Sequence, residues 1–180
     1  MNEQLAAAEA LESFAVSRDA GAQLPRDYAY GIISRATAAA PSDPTVWGVT
    51  HWDTTKLGAQ PTNDDIVAEA AALALAQAQA AQNALLGAAL KAAVMAEWAT
   101  FTPGQQYYLW GAGQMLLQDI QAGNIAGALT AVGQYPLPAG DTDYPPIVTS
   151  ITAILNTYAP LFAAVAAATT VAAVQAVAVP

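Results

Sequence analysis

His51 and Asp53 stand two residues apart, the one place in this 180-residue chain where an imidazole and a carboxylate lie close in sequence. A base titrating near neutral pH and oriented by a carboxylate is the minimum for nucleophilic or general acid–base chemistry. His51 is the chain's single histidine and lies among tryptophans, in Trp47-Gly-Val-Thr-His51-Trp52. In that setting it reads as a packing or hydrogen-bonding residue. Two carboxylate pairs could in principle hold a cation. Asp64-Asp65 opens a helix, which explains it, and Asp141-Thr-Asp143 lacks the glycine and distal glutamate of a calcium loop. Gly111-Ala-Gly113 follows no strand, so it reads as a place where helices approach closely, not as a phosphate loop. The absence of cysteine excludes thiol nucleophiles, disulfides and cysteine-ligated metals. No catalytic, cofactor-binding or metal-binding residue is therefore predicted, no cofactor is implied, and the chain reads as non-enzymatic.

Large apolar side chains carry more information. Trp47 and Trp52, in a segment flanked by turn formers, are too large to leave in water and are expected to dock on a helical body or a neighbouring subunit. Tyr107, Tyr108 and Trp110 join Trp98 and Phe101 in the densest aromatic cluster. They can line a ligand pocket or, more simply, fill the wedge where two alanine-rich helices diverge. Near the C-terminus Ile147, Ile151, Ile154, Tyr158, Leu161 and Val165 follow at spacings of four and three, a heptad seam expected to form an interface between copies.

The elements that position these residues read as mainly α. Residues 2 to 18 place Leu5, Leu11, Phe14 and Ala15 on one side of a short helix that Gly21 and Pro25 stop. Tyr28, Ile32, Ile33 and Ala36 repeat at helical spacing and predict a second short helix before Pro41. Residues 46–61 read as an extended, tryptophan-containing linker. The alternation of Val46, Gly48 and Thr50 with Trp47, Val49 and His51 also fits a small β-hairpin. Thr62-Asn-Asp-Asp65 caps a long helix running toward Phe101, with Leu86, Leu90, Val94 and Trp98 as an i, i+4 row and Gly87 as its weak point. Thr102-Pro-Gly-Gln105 starts the next helix, Gly123 closes it, and Asn124 caps a shorter one that ends at Gly133. Residues 62–133 are thus a helical hairpin body, residues 1–45 short N-terminal helices, residues 134–146 a proline-rich loop, and residues 147–180 an apolar assembly tail. Pro160 is expected to kink or break the tail helix, which is predicted to resume over the valine-rich end.

Composition narrows the function classes. Alanine supplies 46 residues, so the core should be thin and closely packed. The net charge is −9, with five scattered basic residues, which argues against nucleic acid as a partner. After Asp143 the remaining 37 residues carry no charge, which is long enough to span a bilayer. The Ala, Thr and Asn content, Pro160 and the lack of Lys or Arg after Lys91 weigh against a membrane, which stays the alternative reading. Met1-Asn-Glu-Gln4 begins no basic-then-apolar signal, so secretion by a signal peptide is not expected.

Gly58-Ala-Gln-Pro-Thr-Asn-Asp-Asp-Ile66, Phe101-Thr-Pro-Gly-Gln-Gln106 and Gly123-Asn-Ile-Ala-Gly-Ala-Leu129 give the chain a texture that resembles small alanine-rich virion proteins of tailed bacteriophages. The resemblance implies a structural subunit of a homo-oligomeric assembly, in contact with itself and with other proteins of the same particle. It also implies localisation in the virion after assembly in the host cytoplasm.

Overall fold

The computed structural model describes residues 3–24, 28–34, 46–133 and 144–180, and within them leaves the side chains of residues 3–5, 31–34, 46, 47, 107–112, 133, 144 and 145 undescribed. The fold is mainly α, as expected. In chain order the elements are α1 (Glu3–Arg18), β1 (Tyr28–Ser34), β2 (Val46–Trp52), α2 (Thr54–Leu57), α3 (Asn63–Trp98), α4 (Pro103–Gln121), α5 (Ile125–Gly133), α6 (Tyr144–Ala167) and α7 (Val171–Gln175). Contacts divide them into two compact units, Met1–Ala76 and Gln77–Pro180.

In the first unit α1 buries Ala10, Leu11 and Ala15, with Ala7 and Phe14 half-buried beside them. These are the i, i+3, i+4, i+7 and i+8 positions of one helical face. They pack in one cluster with Tyr28, Trp52, Leu57 and Ile66. The second short helix expected over Tyr28–Ala36 is instead strand β1, and the expected tryptophan linker is strand β2. The two pair antiparallel, with Tyr28 opposite Trp52, Gly31 opposite Gly48 and Ile32 opposite Trp47. Tyr28, Tyr30 and Ile32 fit a two-residue period as well as Tyr28, Ile32 and Ile33 fit a helical one. The decisive factor is the partner strand β2, whose own alternation fits the small β-hairpin weighed beside the linker, whereas nothing within β1 names that partner. Ala36 and the connection between the strands lie outside the described residues.

In the second unit the long helix continues, and Leu86, Leu90 and Val94 are buried, with Trp98 half-buried below them, along the expected row. Helix α4 contributes Leu116 and Ile120, α5 contributes Ile125, Ala128 and Val132, and α5 packs against both α4 and α6. The α3–α4 hairpin with an extra short helix is therefore present. Helix α6 continues past Pro160, so of the kink or break expected there the break does not occur. Pro160 and Asn156 are both exposed, so the carbonyl that loses its intrahelical donor is on the solvated side. The valine-rich end forms α7, whose N-cap Thr170 accepts from the Ala173 amide at 3.1 Å.

The helix starts follow the sequence closely. Thr102 Oγ1 accepts from the Gln105 amide at 3.4 Å, and the Gln105 side chain accepts from the Thr102 amide at 2.8 Å, a complete capping box. Thr102→Ala is expected to destabilise the hairpin by about 1 kcal/mol in denaturant melts. Thr62 and Asp65 make the same reciprocal pair at the start of α3, with the Asp65 amide donating to Thr62 Oγ1 at 3.2 Å and Asp65 Oδ2 accepting from the Thr62 amide at 2.8 Å. Hydrogen bonds from the Thr62 hydroxyl and amide hold the Asp65 carboxyl below its ordinary value of 3.8. A depressed folded-state value contributes stability that is present above the unfolded value and is lost as pH falls through the folded one. Thr62→Ala is accordingly expected to lower the melting temperature at pH 7, with the difference from the parent protein shrinking as pH is taken below about 4.

Candidate functional site

The residues with chemical potential in the first unit are occupied structurally. Asp53 is the N-cap of α2, its carboxylate accepting from the Thr55 amide at 3.0 Å and the Lys56 amide at 3.2 Å. His51 is exposed on β2. Asp64 and Asp65 occupy the first turn of α3, and Asp141 and Asp143 lie outside the described residues. Among the described residues no three His, Cys, Asp or Glu side chains lie together in a way that could hold a metal ion.

Trp52 is an anchor within its own unit. Its ring is buried, its indole Nε1 donates to the Gly58 carbonyl at 3.0 Å, and the Arg18 guanidinium lies 5.5 Å from the ring centroid. The same guanidinium donates to the carbonyls of Leu57 and Ala59. Gly58 ends α2 with φ of +74°, a conformation that costs a side-chain-bearing residue energy. Helix, turn and strand therefore converge on one indole. Trp47 belongs to β2, and its side chain lies outside the description.

The tail residues face inward. Ile147, Ile151, Tyr158 and Val165 are buried in the second unit, while Ile154 and Leu161 are half-buried. The inward row also takes Leu155, fully buried, which the heptad spacing had passed over. Its end is tied down by glutamines from the alanine-rich stretch of α3. Gln79 Nε2 donates to the carbonyls of Val165 and Ala168 at 3.1 Å, and Gln82 Nε2 donates to that of Val177 at 2.6 Å. Gln79 adds a donor to the Val165 carbonyl, which also accepts from the Ala168 amide at 3.3 Å, and Gln82 supplies one to the carbonyl of Val177, past the end of α7. The seam expected between copies is thus used inside the chain, and what α6 offers outward is its other face, with Thr149, Ala153, Asn156 and Thr157 exposed.

At the corner of the hairpin the rings of Trp98 and Phe101 are 6.0 Å apart and tilted by 54°, and Gln106 Nε2 donates to both their carbonyls at 3.1 Å. The Trp98 ring lies over Gly113, where even a methyl group would stand 3.1 Å from it. The small residue expected to permit close helix contact does so here. A cleft of 180 Å³ beside them is lined by Val94, Met95, Trp98, Leu116 and Leu117 among others. That is smaller than the ~300 Å³ at which small-molecule sites begin. The side chains of Tyr107, Tyr108 and Trp110 lie outside the description.

A larger groove of 560 Å³ runs between α3 and the end of α4, with Asn83, Gly87, Lys91, Ile120, Gln121 and Phe162 in its walls. Asn83 Oδ1 is buried without a hydrogen-bond donor. The groove was not anticipated, although Asn83, Gly87 and Lys91 fall at i, i+4 and i+8 on one helical line interrupting the alanines. Its walls offer an ammonium, two amides and apolar surface, with no base beside a nucleophile. The chain matches no family model, no curated protein and no solved structure.

Proposed function

We propose that the chain is a non-enzymatic structural subunit of a homo-oligomeric assembly, a component of a bacteriophage virion that packs against copies of itself and other proteins of the particle. One observation carries the assembly reading: long stretches of the two longest helices, residues 70–90 of α3 and the whole of α6, carry no charge. No charged residue occurs between Glu69 and Lys91 or after Asp143. On α3, Leu85 and Met95 are exposed among alanines that are exposed as well. A soluble chain that worked alone would be expected to carry charge on such faces, whereas a subunit covers them in its partners. The particle type rests on the resemblance of the three quoted stretches to phage virion proteins.

A second reading has its own support. Pro146–Ala167 is long and apolar enough to cross a membrane, and only 22% of it is buried. Light scattering on protein purified without detergent separates the two. A defined multiple of 18.4 kDa is the expected result. Recovery in detergent only would favour the membrane, and a monomer at every concentration would end the assembly reading.

A further inference from the structure

Gly87 lies in the interior of α3, where glycine weakens a helix relative to alanine. Packing does not require it. A methyl group built there meets the Ile120 carbonyl at 3.8 Å, an ordinary contact, and nothing closer. What the glycine keeps open is the 560 Å³ groove between α3 and the end of α4, with Asn83 one turn before it and Lys91 one turn after it in the same wall.

Both flanking residues lack a partner that a ligand can supply. Asn83 Oδ1 is buried without a donor, and the lining residues beside it, Ala80 and Ala84, carry no side-chain N–H. Buried acceptors are normally paired, and an open one costs free energy that a ligand N–H recovers. Asn83 as a residue is only half-buried, and its last torsion is soft, so a turn of the amide brings the oxygen to the groove surface. Lys91 is the single basic residue between Gln77 and Pro180, a stretch that also holds Glu97, Asp119, Asp141 and Asp143. No acidic residue stands three or four positions from it on α3, and among the described residues it makes no ion pair.

The spacing selects the kind of ligand. Residues 83 and 91 are ~12 Å apart along the helix axis, and four residues of extended peptide span ~13 Å with N–H groups along their length. Ala84 and Ala88 are exposed along the rim, so the groove is open and suits a chain laid across it better than a small molecule, which needs enclosure. We infer that the groove binds the extended, apolar carboxyl terminus of a partner chain. The terminal carboxylate meets the Lys91 ammonium, a peptide N–H donates to Asn83 Oδ1, and small apolar side chains lie on Ile120 and Phe162. This deepens the assembly reading by naming the chemistry of a partner, and soluble peptides test it separately from the oligomeric state.

The full isotope-labelled chain is titrated with an equimolar pool of N-acetylated tetrapeptides of Ala, Val and Leu with free carboxyl ends, and then with the same pool amidated. The free-acid pool should move the side-chain amide signals of Asn83, and the amidated pool should bind roughly tenfold more weakly or worse. Lys91→Gln should lose the same factor and no longer distinguish the pools. Gly87→Leu fills the groove and should abolish binding while circular dichroism shows the helices kept. Lys91 is exposed, so its variant carries the test even if Gly87→Leu fails to fold. Equal binding of the two pools, or a preference for the acid that survives Lys91→Gln, would overturn the inference. So would the absence of any shift at Asn83. Octanoate bound as tightly as the acid pool would overturn the peptide and leave a site for simple carboxylates. None of these outcomes touches the assembly reading, which stands or falls by light scattering.

Discussion

Leu155→Asp is expected to abolish the folded packing of α4, α5 and α6. Leu155 is fully buried on the inward row of α6, between Ile151 and Tyr158. The substitution removes a buried leucine, worth roughly 2 kcal/mol of transfer, and places a carboxylate with no partner in the same space, at a cost of several kcal/mol more. The sum reaches the ~5 kcal/mol at the lower end of total domain stability. Asn156→Asp is the matched control, one residue along on the exposed side, and should stay within about 0.5 kcal/mol of the parent protein. Hydrogen exchange read by mass spectrometry should show protection lost across α4, α5 and α6 in the first variant and retained in the second. Equal protection in both would mean that α6 does not pack through Leu155.

That row marks how far α6 can be read from sequence. A repeat of 3.5 residues places Ile154 in the seam after Ile151, whereas a straight helix of 3.6 residues per turn brings Leu155 under Ile151 and Tyr158. Both side chains are apolar, so the spacing alone could not choose between them, and the choice decides which face remains for a partner. The helix starts were legible at single-residue level because the capping chemistry is local. Thr102, Pro103 and Gln105 contain the whole of their own hydrogen-bonded box. Asn124 likewise accepts from the Gly127 amide at 3.0 Å at the start of α5.

Strand β1 shows the opposite case. Its seven residues acquire strand geometry from β2, whose first residue comes twelve positions after the last of β1, and from the apolar face of α1. Tyr28 and Trp52 are neighbours only once that pairing exists. The 560 Å³ groove is non-local in the same sense, since Asn83 and Lys91 on α3 acquire walls from the end of α4 and from Phe162. Asn83 among alanines was visible, but its surroundings were not. The tail misled for a related reason. An uncharged segment must be covered by something, and sequence does not say whether that cover is another copy or the chain's own glutamine-bearing helix.

Trp52 tests whether the first unit is organised as described. Trp52→Ala is expected to cost about 3–5 kcal/mol, the range for deleting a buried large aromatic. It removes the ring from the cluster of Leu11, Tyr28 and Leu57, the surface facing the Arg18 guanidinium, and the indole donor to the Gly58 carbonyl. Trp52→Phe retains an aromatic ring but not the N–H, and leaves the Gly58 carbonyl without that donor. It should therefore fall between Ala and the parent protein, at a loss of about 1–3 kcal/mol. The order Trp, Phe, Ala in calorimetric stability separates an anchor fixed by both packing and hydrogen bonding from a merely apolar filler, for which Phe and Trp would be nearly equal. If Trp52→Ala unfolds at the temperature of the parent protein, the indole lies outside the core and is free to be a contact between subunits instead.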